Sequence, residues 1–121
     1  MTQIHEQLAT AAREAARLAD GVDPARLAGA TPCPDYDVRA LAAHLLQEIV
    51  LHGWDLAAAT GQTPEFPDEI AATVLDRLDH ERAADQDGEW YGGPVPAPGP
   101  SLLDQAVARS GRDPDWRPAG R

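Results

Sequence analysis

Apolar side chains recur every three or four residues along the first twenty positions of the chain. Ile4, Leu8 and Leu18 fall on one side of a helical projection, with alanines between them and the charged side chains mostly elsewhere. Gly21 follows the last turn, where glycine typically ends a helix. The pattern predicts a first helix over residues 2–20.

The longest helical pattern runs from Val38 to Thr60, with Asp37 as its N-cap and Gly61 as its C-terminal signal. Most of its circumference is apolar, which is typical of a helix inside a bundle. One polar strip interrupts the apolar surface. The arc predicted to face the core contains Val38, Ala42, Leu45, Leu46, Ile49 and Val50.

A third apolar stripe follows a proline-containing turn and predicts a helix from about Pro67 to Ala84. From residue 85 the chain becomes rich in proline and glycine, and a short helical segment, SLLDQAVARS, precedes Gly111. No alternating strand pattern is present. The sequence therefore predicts an all-α protein, with a helical bundle core at residues 1–84. Residues 85–121 are expected to form a Pro/Gly-rich extension whose short helix packs on the bundle, together with Trp90, Tyr91 and Trp116.

Charge narrows the range of partners. Twenty acidic residues stand against ten basic ones, and the formal net charge is −10. Binding to a phosphate backbone depends on cationic side chains, so we expect no nucleic-acid partner.

The first residues lack the apolar core of a signal peptide, and no segment approaches the length needed to span a membrane. Because there is one cysteine, no internal disulfide is possible, and we expect a cytoplasmic protein.

The polar strip of the second helix contains His44, Glu48 and His52, at steps of four residues. Carboxylate and imidazole suit zinc and other divalent metals, and residues four apart lie close enough for both to reach one ion. His44 and His52 are about 12 Å apart along the axis, whereas a zinc–nitrogen bond is about 2 Å. A straight helix therefore offers a pair of ligands but hardly all three. Either the helix is broken between them or a second chain completes the site; the alternative is a solvated strip with incidental histidines.

Three segments resemble one family of proteins. They are TPCPDYDVRALAAHL at 31–45, EIVLHGWDLAAATGQ at 48–62, and the closing segment GGPVPAPGPSLLDQAVARSGRDPDWRP. They are similar to the DinB-like metal-binding bundle of the mycothiol-dependent maleylpyruvate isomerases. Only two residues separate the first two motifs, where family members have a long stretch. The resemblance thus implies a truncated DinB-like bundle in which two helices are fused into one long second helix.

The resemblance also implies a site and an activity. His44 matches the family's first metal ligand, and Glu48 and His52 match the pair that precedes Gly-Trp-Asp. The implied metal is divalent, usually zinc, and it would activate a small thiol such as mycothiol for isomerase or S-transferase chemistry. Asp55 and Trp54 are candidates for orienting His52 from behind. No catalytic residue beyond the ligands is identified.

A homodimer would compensate for the missing part of the bundle. Two fused helices packed antiparallel would bring His44 of one chain towards Glu48 and His52 of the other. The rival hypothesis, from another functional class, is a non-catalytic dimeric interaction module whose metal site is structural or vestigial.

Overall fold

The computed structural model describes residues 2–84, 96 and 99–119. In this part the chain forms four α-helices and one short 3-10 helix, and it contains no β-strand. The helices are α1 (Thr2–Asp20), α2 (Val38–Thr60), α3 (Asp68–Ala84) and α4 (Leu102–Arg109); the 3-10 helix is Pro24–Arg26. The all-α fold, the long unbroken second helix and the positions of all four helices confirm the sequence prediction. Trp90 and Tyr91 lie outside the described residues.

The chain divides into two compact units, Met1–Ala42 and Ala43–Arg121. This division falls inside α2, whereas the sequence placed a boundary at residue 85. The predicted boundary therefore falls within the second unit, and the Pro/Gly-rich stretch around it is mostly outside the described residues.

The first unit contains α1, the connector and the start of α2. Asp37 caps α2 as predicted, because its Oδ1 accepts a hydrogen bond from the backbone N–H of Ala40 at 2.8 Å. The segment between α1 and α2, residues 21–37, is bonded to the first turn of α2: the backbone N–H groups of Val38 and Arg39 donate to the carbonyls of Gly29 and Leu27. These bonds set where α2 begins, and with it the register of every residue that follows on that helix.

Helix α1 keeps its apolar stripe exposed. Ile4, Leu8 and Leu18 all retain more than half of their accessible surface. The helix therefore presents the one-sided pattern read from the sequence, and the stripe faces solvent.

The second unit has its core where α2, α3 and α4 meet. Five side chains form the centre of this cluster: Val50, Leu51, Val74, Leu78 and Ala106. Helices α3 and α4 pack against each other, and Ser101 caps α4 by accepting a hydrogen bond from the N–H of Asp104.

The C-terminal end of α2 is marked by Gly61. This residue adopts a φ of 71°, a left-handed conformation that ends the helix as predicted.

The buried face of α2 meets the predicted arc only at one edge, where Val50 is buried and Leu46 packs against the core. Leu45 and Ile49 are 49% and 52% exposed, whereas Gln47 and Trp54 are buried. Gln47 tolerates burial because its Nε2 donates a hydrogen bond to Glu81 on α3 at 3.1 Å. The buried face is therefore centred about a quarter turn from the middle of the predicted arc. Helix α2 also carries an exposed apolar stripe of Leu45, Ile49 and Leu56, here called the outer stripe.

Every helix in the described part of the chain is too short or too polar to span a lipid bilayer.

Candidate metal centre

The three candidate ligands lie on one uninterrupted stretch of α2, in the second unit. Glu48 stands between the two histidines. Nε2 of His44 lies 4.0 Å from Oε1 of Glu48, and Nε2 of His52 lies 3.1 Å from Oε2 of the same carboxylate. The side chains of His44, Glu48 and His52 are 31%, 45% and 65% exposed, so the strip is open to ligands. The carboxylate thus has one imidazole beside each oxygen.

The spacing of Glu48 and His52 suits a shared metal ion. Two donors bound to one tetrahedral zinc at about 2.0–2.2 Å are roughly 3.3 Å apart. The observed 3.1 Å between Oε2 and Nε2 is close to that separation. The two donor types suit a divalent metal, and the same separation is that of a direct imidazole–carboxylate contact.

His44 does not join this pair. Its Nε2 lies beside the other carboxylate oxygen, and within the described part of the chain no three His, Cys, Asp or Glu side chains are grouped to hold one metal ion. Since α2 continues unbroken from Val38 to Thr60, a break that would bring the two histidines together does not occur. The broken helix is therefore excluded, and two of the predicted alternatives are left: a ligand from a second chain, or a solvated strip with incidental histidines.

Asp55 contacts His52 on the side of the ring that faces away from Glu48. Its Oδ2 lies 3.0 Å from Nδ1 of His52, while Nε2 of the same imidazole points to Glu48. A metal-bound histidine usually has its second nitrogen bonded to a carboxylate, which fixes the ring and raises its basicity. Trp54, the other predicted orienting residue, is buried and belongs to the packing of the second unit.

Asp55 is itself held by Arg112. The guanidinium donates from Nε to Oδ1 at 2.7 Å and from Nη2 to Oδ2 at 2.9 Å. The hydrogen bond from Arg112 lowers the pKa of the Asp55 carboxyl; burial opposes this shift, while the charge of Arg112 and the contact with His52 add to it. No sequence pattern predicts this contact, because Arg112 lies 57 positions from Asp55 and belongs to no ligand pattern.

A surface cavity of about 400 Å³ opens next to this ion pair. Its wall is formed by Trp54, Asp55, Ala58, Arg112, Asp113 and Trp116, among others. The arrangement therefore places a carboxylate–imidazole pair, a second carboxylate in contact with the same imidazole, and a cavity lined by that second carboxylate in one region of α2.

Comparison with known proteins gives one family. The family model described as the mycothiol maleylpyruvate isomerase N-terminal domain matches residues 8–118. No curated protein and no solved structure matches the chain significantly.

Proposed function

The chain belongs to the mycothiol maleylpyruvate isomerase N-terminal domain family, and from that premise we propose that it binds a divalent metal, of which zinc is the best fit. The observation that carries the proposal is the Glu48–His52 pair. It combines two donor types that zinc accepts with a separation close to that of two ligands on one ion. His44 is the third proposed ligand.

A second copy of the chain is the proposed source of the third ligand. In two antiparallel α2 helices that cross near Glu48, His44 of one chain stands level with His52 of the other, because the histidines are equally far from Glu48 in sequence. The outer stripe supplies the apolar contact for such a pair, since Leu45, Ile49 and Leu56 are exposed and lie next to the donors.

When bound, a divalent metal lowers the pKa of a thiol or water that occupies an open position, and so supplies a nucleophile at neutral pH. The chain's own contribution is to hold the ligands: Glu48 presents Oε2 and His52 presents Nε2, with Asp55 fixing the ring. A small thiol such as mycothiol is the proposed partner, and the cytoplasm the proposed location. Isomerase or S-transferase activity is to be decided by a thiol-transfer assay with mycothiol.

Metal analysis of the purified protein tests the proposal. We expect stoichiometric zinc in the wild type and its loss in Glu48→Ala. Glu65→Ala is the matched control, because Glu65 is an exposed acid in the turn before α3 and has no histidine within four positions in the sequence. Absence of zinc in the wild type after reconstitution, or equal zinc in Glu48→Ala, would contradict the proposal.

The second candidate function is a non-catalytic dimeric interaction module. It is favoured by the outer stripe, which is an apolar helix face open to solvent, and by the exposure of the three donors. A dimer that forms with full affinity in a chelator and takes up no zinc would support this candidate over the first.

A further inference from the structure

We infer that Arg112 is a positioning residue for the metal pair, acting on His52 through Asp55. The inference rests on the proposed metal-binding function and deepens it, because it assigns to the C-terminal segment a part in holding a ligand on α2.

The first step is the geometry between Arg112 and Asp55. Both carboxylate oxygens accept from the same guanidinium, at 2.7 and 2.9 Å, in the planar fork that arginine alone provides. A carboxylate held at both oxygens has its plane fixed. Without that fork, the side chain of Asp55, which is 40% exposed, would be free to turn towards water.

The second step is that Arg112 is fixed at its own end. Its Nη1 donates to Oγ of Ser110 at 3.0 Å, and its backbone N–H donates to the carbonyl of Val107. Ser110 is the buried C-cap residue of α4, and its hydroxyl donates to the same Val107 carbonyl at 2.6 Å. The guanidinium is therefore attached to the end of a packed helix, and only a quarter of its side-chain surface is exposed.

The third step is the imidazole. Asp55 Oδ2, which accepts from Arg112, is also the atom that lies 3.0 Å from Nδ1 of His52. The chain of contacts runs from α4 through Arg112 and Asp55 to His52, and ends at the Nε2 that faces Glu48. Partners of this kind typically change metal affinity by about 10–100-fold when they are removed.

The chain offers a matched control. Arg109 forms an ion pair with Asp79 on α3, so it also joins the C-terminal segment to a helix through an Arg–Asp contact. This ion pair involves none of the candidate metal ligands on α2. Arg109→Ala thus removes a comparable contact without touching the path to His52.

The test is a Co²⁺ titration of the full chain, read by visible absorption, for the wild type, Arg112→Ala, Arg112→Lys and Arg109→Ala. We expect Arg112→Ala to bind Co²⁺ at least about 10-fold more weakly. We also expect its d–d bands at saturating Co²⁺ to differ from the wild type, because His52 is no longer held in one orientation. Arg112→Lys, which keeps the charge but not the fork, should fall between, and Arg109→Ala should match the wild type.

Each other result overturns the inference in a different way. If the wild type and Arg112→Ala bind Co²⁺ with the same affinity and the same absorption bands, Arg112 has no positioning role, and the proposed function is unaffected. If Arg112→Ala and Arg109→Ala weaken Co²⁺ binding equally, the effect comes from looser packing of the C-terminal segment and not from the path to His52. Thermal unfolding followed by circular dichroism measures that loss of stability separately. A wild type that binds neither Co²⁺ nor Zn²⁺ removes both the inference and the proposed function.

Discussion

Arg112 and Asp55 are joined by two hydrogen bonds, of 2.7 and 2.9 Å, although 57 positions separate them along the chain. The contact brings the C-terminal segment onto the helix that carries the metal candidates. Asp55 then connects onward to His52, so one carboxylate serves both an arginine and an imidazole.

The shared carboxylate predicts strong coupling between Arg112 and Asp55. We expect Asp55→Ala to weaken metal binding by about 10–100-fold, and Arg112→Ala to add little once Asp55 is absent. The measurement is a double-mutant cycle on the metal dissociation constant. Additive effects of the two substitutions would show that Arg112 acts on the site by some route other than Asp55.

A site shared between two chains predicts complementation. His44→Ala and His52→Ala should each reduce metal binding when purified alone, because each removes a ligand from every site. Mixed together, the two variants form a heterodimer in which one site regains His44, Glu48 and His52. We expect about one tightly bound metal per heterodimer, measured by equilibrium dialysis after the chains have exchanged. Failure of the mixture to exceed either variant alone would argue for ligands from a single chain.

The outer stripe predicts which surface holds the dimer together. Ile49→Asp places a charge in the proposed contact twice per dimer. Ile49 is 52% exposed, so the dimer would bury about half of each of two side chains, and losing that burial costs about 1.5–3 kcal/mol per dimer. We therefore expect dissociation to be favoured at least about 10-fold. Analytical ultracentrifugation over a concentration series gives the constant.

Leu8→Asp is the control for that experiment. Leu8 is also an exposed apolar residue on a helix, but it lies on α1, away from the outer stripe in sequence. We expect Leu8→Asp to leave the dimer association constant unchanged. If both substitutions weaken association equally, the dimer depends on exposed apolar surface in general and not on the outer stripe.

The left-handed glycine after α2 predicts a local cost of substitution. Gly61 has a φ of 71°, where a side chain is strained whether or not there is space for it. Gly61→Ala should lower the free energy of unfolding by about 1 kcal/mol in urea denaturation. Gly99→Ala is the comparison, since Gly99 has open space around it and no left-handed backbone. We expect no loss there, and equal losses at both positions would contradict the explanation.

The helices could be predicted from local chemistry. Asp37 and Gly61 mark the two ends of α2 through a side-chain oxygen and a left-handed turn, and both signals act within a few residues of their position. The steps of four between the donors likewise survive folding, because an unbroken helix converts sequence spacing directly into a shared face.

The buried face of α2 and the role of Arg112 could not be predicted in this way. A helix that is apolar on several sides does not specify which side meets its neighbours, and Gln47 is buried only because Glu81 lies opposite it on α3. Arg112 has no local pattern that connects it to Asp55. Both depend on which segments meet in the folded chain, and this information is not contained in any short window of sequence.

Native mass spectrometry of the protein titrated with Zn²⁺ tests the central claim most directly, because it reads metal content and oligomeric state in one spectrum. We expect a dimer carrying two zinc ions, and a dimer or monomer without zinc for Glu48→Ala. A wild-type monomer that stays free of zinc at micromolar concentrations of protein and metal would contradict the account.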